Sequence, residues 1–246
     1  HILENVAHAV HPGMTTHELD ELAENLIRKN GGEPSFKGYR VHGALTPFPA
    51  SLCVSINHEV VHAIPAKDRV FSAGDIVGLD IGMKYKGLFT DTATKIIVRD
   101  GETSLKDGKK EATYLEAEHL LDATQKSLMR GIAAVRAGIH IGDIGYEIER
   151  YLEDQGFGVV KELVGHGVGL KVHEDPDIPN WGKPGTGVLL REGEVIALEP
   201  MATVGDCAVD VGPDGWTWVT VDGSVAAHFE HTLIVTKNGA EVITEL

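Results

Sequence analysis

The chain carries the same pattern twice, and this constrains its fold more than any other feature. Val10-His11-Pro12-Gly13-Met14 is echoed 125 positions later by Val135-Arg136-Ala137-Gly138-Ile139. At that offset Leu19 falls on Ile144, Ala23 on Ile148, Ile27 on Leu152 and Gly31 on Gly156. Each segment therefore reads as an amphipathic helix stopped by glycine. The first also opens on a capping box, Thr15 with Glu18 three residues later. Gly74-Asp75-Ile76-Val77-Gly78-Leu79-Asp80 matches Gly193-Glu194-Val195-Ile196-Ala197-Leu198-Glu199, a turn, a short apolar strand and a carboxylate. Phe89-Thr90-Asp91 matches Phe229-Glu230-His231, and each runs into another strand. Three echoes in one order mean a duplicated helix–strand–strand unit.

The periodicity predicts helices at about 1–10, 16–30, 111–136 and 142–156. It predicts strands at about 51–56, 75–83, 88–98, 158–164, 194–200 and 228–236. This order favours an α+β fold, with helices covering one face of a curved antiparallel sheet. The polar stretch Asp100–Lys110 reads as a surface loop joining the halves, about 1–110 and 111–246, of a single domain. The start at His1-Ile2-Leu3-Glu4, already helical in pattern and without an initiator Met, reads as trimmed.

A net charge of −15 disfavours nucleic acid and anionic membranes as partners. No apolar run approaches the roughly 20 residues of a membrane span. Only two cysteines, Cys53 and Cys207, are present, which suits a reducing compartment and a cytoplasmic protein.

Asp80 and Glu199 each close an apolar strand, where a buried, unpaired carboxylate would be costly. Alternation turns Leu79 and Ile81 to one face and Asp80 to the other. A turn at Lys84–Leu88 brings Asp91 onto the neighbouring strand, so that both acids aim at one point. The duplication adds Glu199 and Glu230. Four converging carboxylates repel unless cations lie between them, and their charge suits two divalent ions. Oxygen ligands suit Mn and Fe(II) and are compatible with Co and Zn. The opposing reading, solvated acids at hairpin ends, explains one such residue but poorly explains four at duplicated positions.

Most of the 13 histidines, among them His8, His11, His17, His119 and His140, read as surface. His166 differs, because Gly165 and Gly167 leave its imidazole uncrowded after an apolar strand. His62, before Ala63-Ile64-Pro65, and His173, in Val172-His173-Glu174-Asp175-Pro176, are further candidates for metal or proton-transfer roles.

Ser51–Asn57, His58–Pro65, Asp80-Ile81-Gly82 through Asp91-Thr92-Ala93, Gly165–Gly169, Leu198-Glu199-Pro200-Met201 and Phe229-Glu230-His231-Thr232 together resemble type I methionine aminopeptidase. The resemblance covers nearly the whole chain and implies the pita-bread fold. It implies that Asp91 and Glu230 bridge two metals, that Asp80 completes one, and that His166 and Glu199 complete the other. His62 and His173 match substrate-facing histidines. Cys53, Trp216 and Phe48 fall where the family lines its methionine pocket, while Val172 stands where an aromatic is expected. Arg40–Pro47 is longer than in short bacterial members.

The implied reaction is removal of an initiator methionine from peptide or nascent-protein N-termini, near the ribosome, by a monomeric enzyme. A hydroxide shared by two metals would attack the peptide carbonyl, with Glu199 as general base. His62 and His173 would stabilise the intermediate. Two rivals share the fold: a proline-specific aminopeptidase or dipeptidase, and a non-catalytic peptide-binding module. The Cys53 and Trp216 pocket argues against the one, and the complete ligand set against the other.

Overall fold

A computed structural model describes residues 1–41, 46–99 and 108–245. The sequence-predicted joining loop at Asp100–Lys110 lies mostly outside these residues, as does the middle of Arg40–Pro47. Four helices form among the described residues: α1 (Ile2–Ala9), α2 (Thr16–Lys29), α3 (Gly108–Ala134) and α4 (Ile141–Asp154). The capping box of α2 is in place. Thr15 Oγ1 accepts the Glu18 amide at 3.1 Å, and the Glu18 carboxylate accepts the Thr15 amide at 2.8 Å. Beyond α2 and α4 the chain turns at Gly31 (φ +78°) and Gly156 (φ +85°), where a side chain would be strained.

In the first half the strand Ile76–Tyr85 pairs with Leu52–Ile56 on one side and Leu88–Ile97 on the other. The hairpin turn at Lys86-Gly87 has positive φ at both residues, 50° and 87°, the geometry that fits the natural strand twist. One sheet face carries Leu52, Val54, Val77, Leu79 and Ile81, and packs on Leu3, Val6, Leu19, Ala23 and Ile27 of α1 and α2. In the second half a five-stranded sheet runs Ala240–Val242, His231–Val235, Val195–Leu198, Val164–Gly167, Glu174–Pro179. Its Ile196, Leu198 and Leu233 pack on Leu120, Leu128, Ile144, Ile148 and Leu152 of α3 and α4. Burying one Leu or Ile side chain contributes roughly 1.5–3 kcal/mol, so the helix-facing sides are fixed by apolar packing. The opposite faces are left for polar side chains.

The halves meet where Glu59–Val61 pairs with Trp218–Thr220, and again at an isolated antiparallel bridge between Ala93 and Glu230. Glu230 N donates to Ala93 O at 3.0 Å and Ala93 N to Glu230 O at 3.3 Å. Beside it Thr232 Oγ1 accepts the Asp91 amide at 2.9 Å and donates to the Asp91 carbonyl at 2.7 Å.

Two expected strands are each divided in two, and a third stops short. The stretch 158–164 becomes Gly158–Val159 and Val164–Gly167, in different sheets, parted by the exposed Lys161-Glu162. The stretch 194–200 stops at Leu198, and Met201–Thr203 follows in a three-stranded sheet. The stretch 228–236 splits into Ala226–His228 and His231–Val235. Pro200 supplies no amide to a ladder, which helps to end the strand before it. Glu199 and Glu230 thus sit at junctions where the chain leaves one sheet for another. No helix among the described residues is long and apolar enough to cross a membrane.

Candidate metal centre and substrate pocket

Asp80 lies opposite Ala93, and Asp91 opposite Gly82, so the two acids are diagonal neighbours on one face of the hairpin. Across the seam, His166 pairs with Ala197, and Ala197 with Thr232. Glu199 and Glu230 lie two residues from Ala197 and Thr232, which keeps them on the same side as His166. Pleat and register therefore aim one imidazole and four carboxylates at one space. All five residues are at most 8% exposed.

One ligand atom each from Asp91, His166 and Glu230 lies within 4.8 Å of the others. Asp80 and Glu199 line the same cavity of about 640 Å³. Burial and repulsion from neighbouring acids hold Asp91 and Glu230 well above the usual carboxylate range. Burial likewise raises Asp80 to about 6 and Glu199 to about 7. Asp80 Oδ1 and Glu230 Oε1 are buried without a hydrogen-bond partner among the described residues. An unpaired buried carboxylate oxygen costs roughly 1–3 kcal/mol or more, and a cation removes that cost. His166 Nδ1 donates to its neighbour's carbonyl, Gly167 O, at 2.8 Å, which leaves the Nε2 lone pair for a metal. The donors fit a divalent metal.

The same cavity is walled by Phe48, Cys53 and Trp216 and is reached by His62 and His173. Phe48 and Trp216 meet edge to face at 5.3 Å, and Trp216 Nε1 donates to Thr46 O at 3.1 Å. Thus all ten candidate residues from the sequence line one space. Residues 1–237 match the model of metallopeptidase family M24.

The chain belongs to the M24 metallopeptidases. It is 43% identical over 236 residues to a methionine aminopeptidase of Clostridium acetobutylicum, covering 96% of this chain and 87% of that one. It is 42% identical over 243 residues to methionine aminopeptidase 1 of Bacillus subtilis, covering 99% and 90%. The crystal structure of methionine aminopeptidase from Thermotoga maritima superposes with a TM-score of 0.89 at 42% identity, covering 100% and 91%. The expected pita-bread fold and metal-dependent peptidase class hold for this M24 chain.

Several lining residues of this M24 peptidase were not singled out by sequence. Phe36, Tyr39, Val41, Val211, Gly215 and Trp218 complete the wall. They come from loops and short strands without periodic signal. Tyr39 is the most telling, since its hydroxyl lies 2.8 Å from His173 Nδ1. Val172 is buried in the aromatic cluster with Phe36 and Phe48 but does not line the cavity itself. His62 takes a positive φ of 58°, rare for a residue with a side chain and often found at functional sites. Burial, with the nearby imidazoles His228 and His166, lowers His62 to about 4. Burial beside His166 and His62 also holds His173 below the usual range. Both rings are therefore neutral near pH 7. His228, buried beside Glu199, was also missed. Its place two residues before Glu230 was the available clue.

Proposed function

We propose that this M24 peptidase removes the N-terminal methionine from peptides and nascent proteins, using two divalent ions held by Asp80, Asp91, His166, Glu199 and Glu230. The observation that carries the reading is that this acidic cluster and an aromatic-walled pocket share one cavity. Bound divalent ions, whether Co, Mn, Fe(II) or Zn, would supply Lewis-acid polarisation and make water acidic enough to react near neutral pH. Phe48, Cys53 and Trp216 would hold an unbranched thioether side chain, for which sulfur–aromatic contact suits methionine. Glu199, raised toward neutrality, is matched to accept a proton and return it to the leaving amine. Neutral His62 and His173 can donate to the carbonyl oxygen and peptide nitrogen as charge develops.

The whole chain reads as one catalytic domain of halves about 1–110 and 111–246, supported by the Ala93–Glu230 bridge between them. It is read as a monomer acting in the cytoplasm on chains close to the ribosome; the two free cysteines suit a reducing compartment.

Cleavage of Met-Ala-Ser against Ala-Pro peptides tests the substrate. Faster turnover of the proline peptide would overturn the reading. Metal-free protein reloaded separately with Mn, Fe(II), Co or Zn tests the cofactor, and undiminished activity after chelation would refute it.

A further inference from the structure

One buried polar side chain at the centre has no part in that chemistry. His228 ends the strand Ala226–His228, is 4% exposed, and is fixed by backbone pairing with Met201. Its Nε2 is buried without a hydrogen-bond partner among the described residues. That atom lies 3.4 Å from Glu199 Oε2, while Glu199 Oε1 lies 3.5 Å from His166 Nε2. The Glu199 carboxylate is thus bracketed by two imidazoles, one at each oxygen. They are not equivalent. His166 belongs to the ligand atoms gathered within 4.8 Å, and His228 does not.

We propose that His228 is a positioning residue for Glu199, donating its Nε2–H to Oε2 so that Oε1 is presented to the metal. A glutamate reaches the centre through three rotatable bonds and has no rigid path to one orientation. A donor on the outer oxygen removes that freedom. It also satisfies an Nε2 that would otherwise remain buried and unpaired. Hydrogen bonds of this kind behind metal ligands are worth roughly 10–100-fold in metal affinity or activity. The strand that holds His228 leads directly into Phe229-Glu230, so one segment sets both glutamates. The proposal rests on Glu199 holding metal.

The test compares His228→Leu and His228→Gln with the wild type. Calorimetric titration of metal-free protein with Mn reads the metal sites, Met-Ala-Ser kinetics read catalysis, and melting without metal reads folding. His228→Leu is expected to lose roughly 10–100-fold in affinity for one Mn and in kcat, with KM little changed. His228→Gln, which keeps a donor, should recover most of both. Wild-type behaviour of the Leu variant overturns the proposal, as does a Gln variant no better than Leu. If the Leu variant fails to fold, ¹⁵N-histidine spectra of Zn-loaded wild type decide. An Nε2–H ring at His228 supports the proposal, and an Nδ1–H ring overturns it. Failure of the wild type to cleave Met-Ala-Ser would refute the substrate reading instead, leaving the Mn titration to judge His228.

Discussion

On the proposed reading, Trp216 is a single side chain that serves both structure and selection. Its indole is anchored at Thr46 O and its ring meets Phe48, so one wall of the pocket is rigid before substrate arrives. Trp216→Ala should lower kcat/KM for Met-Ala-Ser by roughly 10–200-fold, the range for lost apolar fit. Metal affinity should stay unchanged, as Mn titration would check. Lys95 tests burial by a different measurement. It is 3% exposed, its amine donates to Glu59 O at 3.2 Å, and burial lowers it to about 7. Between that value and 10.5 the unfolded chain binds the proton that the folded chain refuses. Stability therefore rises with pH across that window, and the full burial cost is felt below it. Lys95→Met should raise Tm at pH 6, with the gain shrinking toward pH 10. The acidic cluster was legible in sequence because acids at duplicated positions, once buried together, need a cation between them. Tyr39 and His228 were not, since their contacts depend on what folds beside them.

Among the elements, helices followed the sequence and strands did so only in part. The α2 and α4 patterns predicted their packing, because an apolar stripe at helical spacing buries in one way. Thr15→Ala should cost about 1 kcal/mol by removing the cap, measured by denaturant melting. The cost should be larger at Gly145 on α4, where an added Cβ would stand 2.3 Å from Trp181 O and 2.7 Å from Pro179 O. Backbone cannot step aside as a side chain can, so Gly145→Ala should destabilise by roughly 1–3 kcal/mol. The divided strands were read as single because hydropathy alone does not record which sheet a residue joins. Val159 and Val164 look alike in sequence yet pair in different sheets. Short strands such as Glu59–Val61 and Trp218–Thr220 were missed because three residues give no period to read.

For the whole molecule, metal and stability are linked. Without metal, Asp80 and Glu199 titrate near 6 and 7 in the folded chain, against 3.8 and 4.5 as free groups. Across that window the folded state binds more protons, so metal-free stability falls as pH rises. Metal binding must displace those protons and so strengthens with pH. The Tm difference between loaded and chelated protein should therefore widen from pH 5 to pH 8, as paired melting curves would measure. An unchanged gap would mean that these acids do not meet the metal.

The seam between the halves also orders events in time. Asp91 is held by Thr232, 141 residues further along the chain. A growing chain that has folded its first half perfectly still lacks Glu230 and the strand that pins Asp91. Long-range pairing of this kind is slow to form. The cluster of acids is thus incomplete until the segment that carries Glu230 and Thr232 has been made and has paired with Asp91.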